Sequence, residues 1–266
     1  MRKMFALKLG TLAFGAVNLA LCAAAATVPA LSQTLPLSTA IPVRFVHSVD
    51  ARKAQPGDAV TAKTMQVIVL PGGDVIRKGT VIVGHVVGVE AFHFDPTPYA
   101  HQKASELSIH FDKVQEGNTA IPVNLSVRAL ANTIDSREAA YPHSSDDTDH
   151  VGMMTLIGGT TFSPLDKTIQ SEDGDAIGYN RRNGVFAKLV SSGYSGPDTS
   201  FHCEATDTEQ SVAIFSPGAC GVYGFAGDYL SDNGKNGSGT FTLTVRGHSV
   251  KLYAGSTALL QVSEAK

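Results

Sequence analysis

Histidines are the residues best suited by type to do chemistry in this 266-residue chain. His93 and His101 fall in the stretch AFHFDPTPYAHQKA (91–104), His110 follows on an alternating segment, and His85 precedes on a valine-rich one. Imidazoles gathered round one loop can ligate a transition metal. This makes His93, His101 and His110 the metal candidates, weighed against a plain reading as polar loop residues because no close ligand pair is present. The acid–base candidates are Glu172, Asp173, Asp175 and His202, whose spacing encodes no mechanism, so no catalytic residue is assigned. Gly193-Tyr194-Ser195-Gly196-Pro197 approaches a nucleophile elbow but carries proline where the last glycine belongs. Asp232 to Gly237 begins like a calcium loop, yet Leu243 stands where the bidentate glutamate should be. The run from His143 to His150 with its aspartates reads as a solvated acidic loop, and Asp173-Gly174-Asp175 as a turn. With no phosphate loop, dinucleotide fingerprint or His-Glu-x-x-His, no cofactor is expected.

Compartment is more legible than chemistry. Arg2, Lys3 and Lys8 precede an apolar run from Leu9 to Leu21, and Ala24-Ala25-Ala26 supplies small residues, the pattern of a cleavable signal peptide over residues 1–26. Removing those three basic residues takes the net charge from −3 to −6, so no nucleic-acid partner is expected. Cys22 lacks the small preceding residue of a lipidation motif, since Leu21 occupies that place. No other apolar run is long enough for a membrane helix, so the mature chain is expected in the periplasm or at the cell surface. Two cysteines then remain, Cys203 and Cys220, and an even count in an oxidising compartment points to a disulfide.

The elements that would carry these groups read as mainly β. Val67 to Glu90 contains two apolar runs joined by Pro71-Gly72-Gly73-Asp74, read as a hairpin in mid-sheet; Gly84 and Gly88 interrupt its second strand where a bulge or close backbone approach is expected. Further strands are expected over Ile41–Val49, Ala59–Leu70, Leu107–Phe111, Ile121–Leu130 and Ala258–Val262. Phe241–Val245 and Ser249–Leu252 flank Arg246-Gly247-His248 as a hairpin. A corner motif recurs at Leu37-Ser38-Thr39, Lys78-Gly79-Thr80 and Ala254-Gly255-Ser256, read either as chance in a glycine-rich β protein or as equivalent corners of one closed barrel that need the same residue types. The expected organisation is a disordered leader over residues 27–40, a small closed or partly closed antiparallel β-barrel from 41–130 plus 238–263, and a disulfide-bearing insertion or subdomain over 131–237.

The order of motifs over residues 37–130 resembles the barrel domain of the TrbI-like family, scaffolds of conjugation and type IV secretion channels. The residues carrying the resemblance are the strand from Thr39 to Phe45, Pro56-Gly57-Asp58, Ile76 to Gly84, and Leu107 to Asp112 followed by Gly117 and Ile121-Pro122-Val123. The resemblance implies a barrel. The cysteine-bearing segment is no part of that pattern, and the cleavable N-terminus departs from the family's uncleaved membrane anchor. Two functional readings follow. The first is an exported, non-enzymatic scaffold or binding module of the cell envelope, its partner another envelope protein or a cell-wall polymer. The second is an envelope-polymer hydrolase with its site in residues 131–237.

Overall fold

The computed structural model describes residues 34–144, 151–193, 202–231 and 239–264. The expected signal peptide, the polar run 145–150, most of the Gly193–Pro197 motif and the Asp232–Gly237 loop lie outside these residues.

One β-turn design recurs among the described residues, at 225–228 as elsewhere, and four turns of this design set the layout. In each of 36–39, 55–58, 77–80 and 253–256, the fourth N–H donates to the first carbonyl. The third residue has positive φ: Ser38, Gly57, Gly79 and Gly255 at 62°, 95°, 85° and 90°. A strand follows each turn directly: β1 (Ala40–Phe45), β3 (Ala59–Thr64), β6 (Val81–Glu90) and β22 (Thr257–Val262). The corner motif is therefore a shared local structure, with glycine at three of the four left-handed positions because it alone has no Cβ to clash there.

Between and after these lie β2 (Val49–Asp50), β4 (Ile68–Val69), β5 (Val75–Ile76), β7 (Ser105–Glu116), β8 (Thr119–Pro122) and β9 (Leu125–Ala131). A one-and-a-half-turn helix α1 (Thr133–Glu138) follows, capped by the Asn132 side chain, which accepts from the Asp135 N–H. The central segment adds β10 (Met154–Thr155), β11 (Thr161–Phe162), β12 (Thr168–Gln170), β13 (Ala176–Arg181) and β14 (Gly184–Ala187). Then come β15 (Ser192–Gly193), β16 (His202–Cys203), β17 (Gln210–Ser211), β18 (Gly221–Tyr223) and β19 (Tyr229–Ser231), and finally β20 (Thr240–Val245), β21 (Lys251–Leu252) and β22.

Ten strands form one sheet in the order β18-β9-β22-β1-β3-β6-β7-β20-β19, with β8 also on β7. The last strand thus lies between the first and β9, pairing Leu260 with Ile41 on one side and with Val127 on the other. Phe45 on β1 and Phe111 on β7 are three strand spacings apart, ~14 Å on a flat sheet. Their ring centroids nonetheless stand 6.3 Å apart, and Phe111 stacks on Phe241 of β20 at 6.0 Å. The sheet must therefore curl around these rings. Curvature enters at the ladder irregularities of β6 with β7, at Val83/Gly84 and Val86/Gly88, where the glycines were expected to mark it.

The sheet does not close, which corrects the closed barrel. Its end strands β18 and β19 are joined by residues 224–228 and are not paired with each other. Asn132 Nδ2 donates to the Gly224 carbonyl, and the backbone turns through left-handed Gly224 and Gly227, so no extended partner is presented to β19. Three further expectations change. The strand at Ala59 ends at Thr64, and β4 and β5 form their own two-stranded hairpin off the main sheet. β21 pairs with β2, so Phe241–Leu252 is not a hairpin. Leu35 and Thr39 are buried and β1 begins at Ala40, so this part of the expected leader belongs to the fold.

Two apolar cores result. The inside of the curl holds Ile41, Val43, Phe45, Ile82, Ile109, Phe111, Val127, Leu130, Phe241 and Leu260. The outer face of β9-β22-β1 contributes Ala40, Ala129, Ala131 and Leu259 to a second core, completed by Ile157, Phe162, Ile169, Val212 and Phe215. Burial on both faces explains why β1, β9 and β22 lack a polar face. The cystine joins Cys203 to Cys220 with a Cα separation of 5.9 Å, tying β16 to the segment leading into β18.

Candidate functional site

Of the expected metal candidates, the fold brings together only one with another histidine. His110 on β7 is in register with His85 on β6, their rings 5.6 Å apart edge to face. Asp112 reaches His85 Nδ1 at 3.0 Å and His110 Nε2 at 3.8 Å. His93 and His101 lie exposed on the β6–β7 connection and do not join them. Among the described residues no three His, Cys, Asp or Glu side chains are arranged to hold a metal. The reason is that sheet register places His85 and His110 side by side, whereas the two-proline loop carries the other two away from the ladder. Glu172, Asp173 and Asp175 are exposed in the β12–β13 turn, and His202 pairs with Glu204 at the surface.

The residues that do converge were not singled out by sequence. A cleft of about 650 Å³ lies where the helix N-terminus, the β18–β19 connection and the chain around β21 meet, lined among others by Asn132, Phe225, Asp228, His248, Lys251 and Tyr253. Asn132 caps the helix and holds Gly224; a Cβ at Gly224 would lie 2.3 Å from Asn132 Nδ2, so glycine is required there. The chain then turns at Gly227 (φ 78°) and delivers Asp228 inward, its side chain only 4% exposed. From the opposite wall, the turn at Gly247 (φ 91°) presents His248, with Nε2 at 3.5 Å from Asp228 Oδ1.

Asp228 Oδ1 is buried and accepts no hydrogen bond among the described residues. Burial pushes its carboxyl up to about 6, with His248 acting in the other direction. The cleft's cations do not answer this charge. Arg52 is held bidentately by Asp50, which that hydrogen-bonded guanidinium pulls down to about 2, and Lys251 Nζ sits 4.5 Å over the Tyr253 ring. The cleft is thus lined by a buried carboxyl, one of whose oxygens accepts no hydrogen bond among the described residues, and by the aromatic side chains of Phe225 and Tyr253. His248 reads in sequence as part of a hairpin turn and Asp228 is not singled out at all; only their meeting makes a site.

Set beside known protein families, characterised proteins and solved structures, the chain matches none of them.

Proposed function

We propose that this chain is an exported, non-enzymatic binding module of the cell envelope, built on a barrel-like scaffold of the TrbI-like kind, that seats a polar group of a cell-wall polymer or partner envelope protein in the Asp228 cleft. One observation carries the reading: a buried carboxylate oxygen that accepts no hydrogen bond among the described residues, its nearest cationic neighbour being His248 Nε2 at 3.5 Å, belongs to a residue lining a cleft of ligand size. An unfilled buried acceptor costs about 1–3 kcal/mol, which a ligand hydroxyl or N–H would recover. Phe225 and Tyr253 would cover the ligand's apolar faces. The disulfide fits an oxidising compartment. No helix among the described residues is long and apolar enough to cross a membrane.

The test is co-sedimentation of the mature chain with purified wall polymer, together with affinity capture from envelope extract. Retention that Asp228→Asn weakens at least about tenfold, in a variant that still melts cooperatively, supports the reading. A wild-type chain that neither sediments with polymer nor captures an envelope protein ends it.

The same pair favours a second reading, an envelope-polymer hydrolase. A carboxyl titrating near 6 beside a histidine in a cleft has the makings of a general acid. Release of soluble fragments from the polymer by wild type, abolished in Asp228→Asn, would replace the first reading with this one.

A further inference from the structure

A second concavity, of about 670 Å³, lies away from the Asp228 cleft, between the β1–β3 edge of the curl and the β13–β14 turn. Four cations ring it: Arg44 on β1, Lys63 on β3, Lys78 in the corner before β6, and Arg182 in the β13–β14 turn. All four are exposed, and among the described residues no acidic side chain lines the groove. Arg44 and Lys63 stand directly opposite each other in the β1–β3 ladder. Like charges so placed destabilise a sheet. None of the four has an ion-pair partner among the described residues, whereas the neighbouring Arg181 is paired with Glu209.

This cluster is held rather than loose. The buried side chain of Gln66 receives the Val185 N–H at 3.0 Å and donates to the Val185 carbonyl at 2.8 Å. A Cβ on Gly184 would lie 2.0 Å from Gln66 Oε1, so the turn carrying Arg182 is clamped against the segment after β3. Gly79 donates its N–H to the Thr64 carbonyl at 2.9 Å and Thr80 to the Thr64 hydroxyl at 3.0 Å, which locks the Lys78 corner to the end of β3. Cations without an ion-pair partner among the described residues are thereby carried on anchored backbone round one groove of a chain whose net charge is −3.

We propose that this groove is an anion site for a phosphate-bearing ligand. Two guanidiniums match phosphate oxygens bidentately, and two ammoniums add compact charge. Four positive charges suit a di- or triphosphate-like charge density better than a single carboxylate. The floor, formed in part by Met65, Val185 and Ile214, accepts the apolar portion of such a ligand. The inference is independent of the Asp228 cleft.

Calorimetric titration with sodium tripolyphosphate at low ionic strength tests it, alongside flotation with phosphatidylglycerol vesicles and with neutral phosphatidylcholine vesicles. Tripolyphosphate binding that weakens with salt and falls at least about tenfold in Arg44→Gln/Arg182→Gln supports the site, with Lys188→Gln, outside the groove, as an unchanged control. Additional binding to the anionic vesicles alone assigns the phosphate to a lipid headgroup; binding of tripolyphosphate without vesicles assigns it to a soluble phosphorylated group. The substitutions relieve repulsion between exposed cations, so the double variant should melt no lower than wild type. Absence of binding to tripolyphosphate and anionic vesicles alike, or undiminished binding by the folded double variant, overturns the proposal.

Discussion

Arg128 Nε donates to the backbone oxygen of Ala219 at 3.0 Å, one residue before Cys220 of the disulfide. Its Nη atoms donate to the carbonyls of Glu204, Val190 and Pro217, so one 2%-exposed guanidinium gathers three separate stretches of the central segment. A bulge makes this reach possible. Leu259 pairs with Ala129 and Leu260 with Val127, which leaves Arg128 as the extra residue of β9. Desolvation lowers its guanidinium to about 10, so it remains charged at neutral pH, stabilised by carbonyl dipoles.

Replacing Arg128 by methionine should therefore destabilise the fold by at least about 3 kcal/mol, because several carbonyls lose a charged donor together. Lysine should recover little, since one ammonium cannot span the positions that a planar fork reaches. Urea denaturation midpoints of the two variants measure both effects. Near-wild-type midpoints would show that water replaces the guanidinium.

The cystine closes a separation of 17 residues. Chain-entropy reasoning assigns such a loop about 3 kcal/mol. For a chain of this size, Cys203→Ser/Cys220→Ser should melt about 6–10 °C lower. Differential scanning calorimetry of the double variant gives the comparison, and reduction of the wild-type protein should lower the melting temperature similarly.

Two glycines of β6 should respond in opposite ways. A Cβ at Gly84 would lie 2.2 Å from the His110 carbonyl oxygen, a fixed backbone atom, whereas at Gly88 the nearest atom is Ser108 Oγ at 3.6 Å. Gly84→Ala should cost about 2–3 kcal/mol and Gly88→Ala less than about 1 kcal/mol. Equal costs, measured by chemical denaturation, would mean that the bulge is not rigid.

Asp228 predicts a pH dependence of stability. Its folded carboxyl titrates at about 6 against an ordinary value of 3.8. Between these values the folded state binds more protons than the unfolded one, so this group lowers stability as pH rises from about 4 to 6, and its penalty is complete above 6. Asp228→Asn should gain on the order of 1–3 kcal/mol over wild type at pH 7.5 and nothing at pH 3.5. Stability differences taken at both pH values decide it; a gain that does not change with pH would show that Asp228 is not the titrating group.

The turns and alternation were legible because they are local. Ser38, Gly57, Gly79 and Gly255 mark left-handed corners through the conformational preferences of single residues. Leu107, Ile109 and Phe111 share a face because a strand repeats every two residues, and all three are buried. Alternation failed at Arg128, where the bulge moves Leu130 to the same side as Val127, since one inserted residue reverses every later side chain. It failed again at Phe241–Leu252, because a turn sequence does not say which strand offers the better partner, and β21 pairs with β2.

Composition and periodicity, which depend on neighbours in the chain, were enough to determine a mainly β protein with Cys203 and Cys220 available to each other and the two ends of the chain in one sheet. Tertiary structure alone decided that the sheet curls without closing, and that Asp228 meets His248 and Arg44 meets Lys63. Those meetings depend on strand order and on bulges, and both are set by how two cores on opposite faces of β9, β22 and β1 pack at once.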